Sequence, residues 1–268
     1  MTVWTTGDFT QEFDVEAGID AVIHLAARCG GIGKNQREPA WMFADNMRMG
    51  LNVLDACVRA KCRLLMVGTV CSYPGFLAPP FDPGRLWDGY PEPTNAPYGI
   101  AKRALLVAAE AYHKQHGLDV VSVIPTNLYG PGDHFALEDS HDIPALIRKF
   151  CEAGTDGRVD LWGDGSAHRE FLYVEDCARA IVAVLERGQG TMPYNLGGGG
   201  YVSIRDLAFQ VATACDWSGI VRWDRDKPNG QMDRWVDWAP ARALGWEPQV
   251  QLAEGLKRTV EWYRCHAH

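Results

Sequence analysis

Tyr98 and Lys102 stand four residues apart in Tyr98-Gly99-Ile100-Ala101-Lys102, a spacing that puts both on one face of a helix. A lysine ammonium beside a phenol favours the phenolate and lowers its pKa. Tyr98 is therefore expected to act as a general acid or base near neutral pH. Thr69 closes the apolar stretch Arg63–Thr69 that precedes this helix, and its hydroxyl can orient the phenol. A Tyr-x-x-x-Lys spacing alone is also an ordinary surface pair on a helix. The hydroxyl ahead of it makes the three residues a candidate catalytic set.

These residues need a scaffold, and the chain supplies one in alternating pieces. Ala21–Ala27 is a continuous apolar run, as expected of a strand buried on both faces. Pro39 opens a long amphipathic helix to about Ala60, where its missing N–H costs nothing. Arg63–Thr69 reads as the next strand, Tyr98 to about His116 as the catalytic helix, and Asp119–Ile124 as a third strand. Seven prolines between 74 and 97 mark the intervening loop. The order implies a parallel sheet with helices on both faces. Further helices are expected at 142–153, 175–187, 203–215 and 252–263, with short strands at 169–174 and 193–196. The fold class is α/β: a truncated Rossmann-like, doubly wound parallel sheet with a smaller C-terminal substrate-binding lobe. Residues 1–130, with returning segments near 169–200, are expected to form the core, and 131–268 mostly the lobe. A cleft between lobe and sheet edge is the expected ligand site.

The totals narrow the class. The chain has 268 residues, 47% hydrophobic and 22% charged, which suits a globular protein of one large domain or a domain with a lobe. A net charge of −8 argues against nucleic acid as a partner. No apolar run is long enough for a membrane span, and the start lacks a signal-peptide pattern. None of the eight cysteines forms a C-x-x-C pair, so a reduced, cytoplasmic protein is expected.

Several motifs, in order, carry a resemblance. They are His24-Leu25-Ala26-Ala27, Gly30-Gly31-Ile32, Val67-Gly68-Thr69-Val70-Cys71-Ser72-Tyr73-Pro74 and Glu92-Pro93-Thr94-Asn95-Ala96-Pro97-Tyr98. With them the chain resembles the extended short-chain dehydrogenase/reductase superfamily. Pro125-Thr126-Asn127-Leu128-Tyr129-Gly130-Pro131, Ser140-His141-Asp142-Ile143-Pro144-Ala145-Leu146 and Arg169-Glu170-Phe171-Leu172 are similar to the GDP-L-fucose synthases within it, NADPH-dependent epimerase/reductases. The resemblance implies that Thr69, Tyr98 and Lys102 form the superfamily's catalytic set. It implies that Cys71 and His141 move protons beside a sugar ketone, and that Asn127, Lys149, Trp162, Arg169 and Arg234 line a GDP-sugar pocket. The residue types agree with that: a diphosphate wants Arg and Lys donors, and Trp162 can pack on guanine as readily as in a core. The superfamily also pairs subunits through the two helices read at 39–60 and 98–116, so a homodimer or homotetramer is expected.

Two departures shape the functional expectation. The family's first strand, Gly-rich turn and helix hold NADP, and a unit of that kind takes about 30 residues; there is no room for it before Ile19. Gly30-Gly31-Ile32-Gly33 lacks the G-x-G-x-x-G spacing, and Gly197–Gly200 reads as a turn. No NAD(P) or flavin is therefore expected. The second departure is an acidic loop with Asp133, His134, Glu138, Asp139 and Asp142. Asp133, His134, Glu138 and Asp139 are taken as candidate ligands of a divalent cation, Mg²⁺ or Mn²⁺, the alternative being a solvated acidic loop. Together these lead to a non-redox, metal-assisted GDP-sugar isomerase, a pyranose–furanose mutase such as acts on GDP-L-galactose. The shortened form resembles cofactor-independent mutases of nucleoside-antibiotic biosynthesis. Two alternatives stand beside it: an NADPH-dependent epimerase/reductase of the GDP-L-fucose synthase type missing its N-terminal segment, and a non-catalytic GDP-sugar-binding subunit.

Overall fold

A four-stranded parallel sheet carries the first half of the chain in a computed structural model that describes residues 5–137, 139–155, 157–227 and 229–266. Its strands are β1 (Ala21–His24), β2 (Arg63–Val67) and β3 (Val120–Pro125), joined at the far edge by Tyr194–Leu196. The crossovers are helical: α1 (Ile32–Arg37) and α2 (Pro39–Ala60) join β1 to β2, and α3 (Ala96–His116) joins β2 to β3. Parallel neighbours require such crossovers. The α/β, Rossmann-like architecture is the one expected.

Strand alternation explains why both faces are covered. Leu64, Met66 and Val120 pack with Val53, Leu54 and Leu105 of α2 and α3. Leu65, Val121 and Val123 point the other way, against α5 (Val174–Arg187). Successive side chains of a strand leave on opposite sides, so an unbroken apolar run serves two helix layers at once. Helix α2 begins and ends where its sequence says, and α3 begins at Ala96, two residues before the expected start. Pro39 lies in the first turn of α2, and Lys61 closes it in the left-handed region at φ 56°. Gly117 closes α3 at φ 69°, a conformation that costs glycine little.

The second half is built on shorter strands: β4 (Asn127–Tyr129), β5 (Arg158–Trp162), β6 (His168–Tyr173), β7 (Tyr194–Leu196), β8 (Tyr201–Ser203), β9 (Ile220–Asp224) and β10 (Asp233–Arg234). β6 is the hub. Its residues 171–173 pair with β4, and its residues 168–170 lie between β10 and β8. β5 pairs with β9. Helices α4 (Asp142–Glu152), α6 (Ile204–Ala214) and α8 (Leu252–His266) enclose a second apolar core, in which Ile147, Leu207, Val211 and Leu256 are fully buried. Each such side chain contributes about 1.5–3 kcal/mol of transfer free energy. α7 (Ala239–Ala243) packs beside β7.

The structure adds elements absent from the expected set: α1, α7, β4, β5, β8, β9 and β10. The polar stretch 34–37 is helical because Asn35 turns inward and donates to the carbonyls of Gly30 and Gly31 at 2.9 and 3.1 Å. Among the described residues no helix is long and apolar enough to cross a membrane.

Candidate active site

The C-terminal end of β2 runs directly into a single 3₁₀ turn, Val70–Ser72, and this turn is clamped to α3. Thr69 Oγ1 accepts from Cys71 N at 3.2 Å. Ser72 Oγ donates to the Gly99 carbonyl at 3.0 Å, and the Arg103 guanidinium donates to the Ser72 carbonyl. The approach is close enough to require glycine: a Cβ on Gly99 would lie 2.3 Å from the Cys71 carbonyl oxygen. Thr69, Cys71, Tyr98 and Lys102 are thereby held on adjoining backbone.

The electrostatics of this cluster differ from the sequence expectation. Lys102 is buried, and its Nζ donates to the Val67 carbonyl at 3.0 Å. Burial pulls its pKa down to about 8, with the nearby Cys29 opposing. Half-buried Tyr98 is pushed up from the ordinary phenol value, first by desolvation and then by Cys29 and Cys71; the Thr69 hydroxyl, its hydrogen-bond partner, works the other way. The phenol is therefore neutral at physiological pH. The expected lowering by Lys102 is corrected: loss of solvent dominates, and the Thr69 hydroxyl is the group that opposes it. A neutral phenol is a proton donor, not a resting base. His24, on β1, is held down to about 4 by burial and then by Lys102, so it too is neutral. Cys29 was not among the sequence candidates. No spacing motif links it to residue 98; only the return of the chain after β1 brings it there.

Two arginines converge beside Cys71 from β6 and β10. Arg234 Nη1 donates to Cys71 Sγ at 3.7 Å, and Arg234 Nε is buried with no hydrogen-bond partner among the described residues. Arg169 is buried, and its pKa is lowered to about 10 by desolvation and then by Arg234; Asp142, Asp233 and Cys71 oppose. Two guanidiniums this close, one with an unanswered donor, form a cradle suited to an anion with several oxygens. The neighbour of Arg234, Asp233, accounts for itself: it pairs with His168 Nδ1 at 3.1 Å. Glu170 fixes the frame. Its carboxylate accepts from Gly198 N and Val236 N, both at 3.0 Å. The Gly197–Gly200 turn thus spends an N–H within the protein. Asn127 Nδ2 donates to the Glu170 carbonyl at 2.8 Å, which sets Asn127 on the same frame.

The remaining candidates lie in the second half of the chain. Lys149 Nζ donates to the Asp160 carbonyl at 3.1 Å, and desolvation lowers its pKa. Trp162 is 63% exposed, so it is not a core residue; Lys227 Nζ lies 5.6 Å from its ring centroid. His141 is the exposed residue before α4. Its loop docks on α1, where Gly31 N donates to the Asp139 carbonyl at 2.8 Å and Arg37 pairs with Asp139 at 2.5 Å.

The proposed metal ligands do not come together. Among the described residues no group of three or more His, Cys, Asp or Glu side chains could hold a metal ion. Asp139 is committed to Arg37. Asp133 accepts from His134 N at 2.7 Å, and burial raises its pKa. His134 is exposed, and Glu138 lies outside the described residues.

Comparison with known proteins shows the family. The family described as "NAD dependent epimerase/dehydratase family" matches residues 3–197. A probable GDP-L-fucose synthase 1 of Oryza sativa is 40% identical over 265 residues, covering 96% of this chain and 81% of its own length. The GDP-L-fucose synthase of Escherichia coli is 38% identical, with coverages of 94% and 82%. A GDP-L-fucose synthetase structure from Naegleria fowleri, bound to NADP, superposes with a TM-score of 0.84 at 27% identity, covering 92% of this chain and 78% of that one. Two expectations are overturned. The non-redox, metal-assisted mutase gives way, because relatives this similar over nearly the whole chain are named as GDP-L-fucose synthases. The expectation of a divalent cation without NAD(P) gives way likewise: a structural neighbour binds NADP, and among the described residues no group of three or more such side chains could hold a metal ion.

Proposed function

The chain belongs to the NAD dependent epimerase/dehydratase family, and from that premise we propose that it is an NADP-dependent epimerase/reductase of a GDP-4-keto-6-deoxyhexose. The observation that carries the proposal is the meeting of Tyr98, Lys102 and Thr69 with Cys71 beside the Arg169–Arg234 cradle. One cluster holds a proton donor for a ketone oxygen, the other the cations for a diphosphate.

The residues present fit the nicotinamide–ribose end of NADP. Lys102 Nζ spends one donor on Val67, and an ammonium has three, so ribose hydroxyls can take the others. No described strand is followed by a G-x-G-x-x-G turn, so nothing is assigned to the pyrophosphate. When bound, NADPH supplies the two-electron reduction of the sugar ketone. Tyr98, neutral through burial, gives its proton to the C4 oxygen as that oxygen becomes a hydroxyl. Thr69 orients the phenol, and the Lys102 ammonium stabilises the phenolate left behind.

Epimerisation needs protons removed from and returned to the carbons flanking C4, which the ketone acidifies. Cys71 and His141 are assigned to those transfers. Arg169, Arg234 and Lys149 hold the diphosphate, Asn127 lines the pocket, and the exposed face of Trp162 receives the guanine. Residues 131–268 serve mostly as the GDP-sugar lobe. Trp41, Phe43 and Val107, all exposed on α2 and α3, support pairing of two subunits through these helices.

The test supplies purified protein with GDP-4-keto-6-deoxymannose and NADPH. Loss of NADPH absorbance matched by formation of a GDP-6-deoxyhexose supports the reading. Binding of the GDP-sugar without NADPH consumption at any enzyme concentration counts against it.

A further inference from the structure

Away from the site just described, two thiols from different helices meet. Cys151, in the last turn of α4, and Cys215, which caps α6, lie with their sulfurs 3.6 Å apart, although 64 residues separate them in the chain. Neither is bonded to another cysteine. Cys215 is buried in the lobe's apolar core, and Cys151 is half-buried at its edge. Arg264 of α8 stands over the pair. Its Nη2 donates to the Cys215 carbonyl at 2.7 Å and its Nη1 reaches Asp216 at 3.2 Å, so the guanidinium is fixed beside the sulfurs.

We propose that Cys151 and Cys215 are a thiol–disulfide modification site, closed by exchange with a small disulfide such as oxidised glutathione and reopened by thiols. The chemistry follows from the asymmetry of the pair. The hydrogen bond with Cys215, and then Arg264, hold the Cys151 thiol below the ordinary thiol value against the burial that raises it, whereas Cys215 is pushed up. The more accessible sulfur therefore carries the larger share of thiolate. Cys151 thiolate attacks one sulfur of the small disulfide and breaks its S–S bond, and the departing glutathione thiolate takes up a proton. Cys215 then loses its proton and attacks the Cys151 sulfur of the mixed disulfide, releasing the second glutathione. Two protein thiols are oxidised, and one disulfide is reduced to two thiols.

The bridge would tie the end of α4 to the end of α6. Lys149 lies two residues before Cys151 on α4, so the cross-link stiffens the element that carries a proposed diphosphate ligand. Closing a loop of this length restricts the unfolded chain.

The test incubates the folded protein with oxidised glutathione, alkylates remaining thiols and maps the peptides by mass spectrometry. The expected result is a 151–215 linked peptide as the principal bridge, lost on adding dithiothreitol, with a melting midpoint raised by roughly 5 °C or more. In Cys215→Ser the exchange should stop halfway, leaving one glutathione on Cys151 and no rise in midpoint. Cys151→Ser, at the half-buried position, should show neither bridge nor adduct at residue 215. Full alkylation of Cys151 and Cys215 after oxidation, while exposed Cys29 and Cys265 carry glutathione, would overturn the proposal.

Discussion

Arg234 Nη1 lies 3.7 Å from Cys71 Sγ, although 163 residues separate the two in the chain. The contact joins the sheet that holds the Tyr98 cluster to the β6–β10 frame that holds the arginine cradle. Arg234→Met should therefore touch both functions. Losing a charge-assisted bond to a diphosphate costs about 1.5–3 kcal/mol, so KM should rise roughly 10- to 100-fold, with a smaller fall in kcat. Arg234→Lys should restore part of KM but not the fork geometry. Steady-state kinetics decide it; an unchanged KM in the methionine variant would remove Arg234 from the pocket.

Tyr98→Phe removes the proposed proton donor and keeps the ring. A positioned acid contributes roughly 10²–10⁴-fold, so kcat should fall by that amount while the dissociation constant for GDP stays within about twofold. A parallel loss of GDP affinity would mean that the phenol binds ligand instead of moving a proton.

The pH profile should carry the mark of Lys102. Its ammonium form, to which the proposal assigns stabilisation of the phenolate, prevails below about 8. Activity should thus fall as pH rises through about 8, although free lysine stays charged to about 10.4. Lys102→Arg, which stays charged, should move that falling limb to higher pH at lower overall rate. A wild-type profile flat to pH 10 would contradict the assignment.

Glu170 predicts a stability profile. Burial raises its carboxyl to about 7 against the ordinary 4.5, in spite of the backbone N–H donors from Val236 and Gly198. Between those values the folded chain keeps a proton that the unfolded chain has released. Stability should therefore decline as pH rises from 4.5 to about 7 and level off above, by on the order of 3 kcal/mol from this group. Glu170→Gln should be less stable at low pH, since its amide NH₂ cannot accept from an N–H, and should lack this share of the decline. Denaturant titrations at pH 4.5 and 7.5 measure the difference; identical slopes in both proteins would refute it.

Gly99→Ala places a methyl carbon 2.3 Å from the Cys71 carbonyl. Alanine is the better helix former, yet overpacking of this kind costs about 1–3 kcal/mol. The variant should melt lower and turn over more slowly, because the 3₁₀ turn carrying Cys71 must move. A variant of higher stability with full kcat would show that the clamp is not needed.

What could be read in the chain followed from period and punctuation. The runs at 63–69 and 119–124 are apolar because both sheet faces are covered, whereas the expectation of a doubly buried strand at 21–27 is corrected: β1 lies at the sheet edge, with Ile23 and Leu25 exposed. Pro39 marks a helix start, and Pro97, read as part of the loop, lies in the first turn of α3. Strands β4, β8 and β10 are two or three residues long, too short for any periodicity, and exist only because β6 offers them partners. Helix α1 hid because its inward residue is a polar Asn35. The approach of Cys29 to Tyr98 is tertiary and has no linear signal. The acidic loop misled for a related reason: composition showed carboxylates and imidazoles together, whereas Asp139 pairs with Arg37 and Asp133 binds its own neighbour's N–H.

The most direct measurement is the reaction run in D₂O with GDP-4-keto-6-deoxymannose and unlabelled NADPH, read by NMR. Deuterium at C3 and C5 of the product with protium at C4 is the expected pattern, since the proposed function has the flanking carbons exchange through Cys71 and His141 while C4 is reduced from the cofactor. Recovery of unlabelled, unreduced substrate from enzyme shown to bind GDP would contradict it.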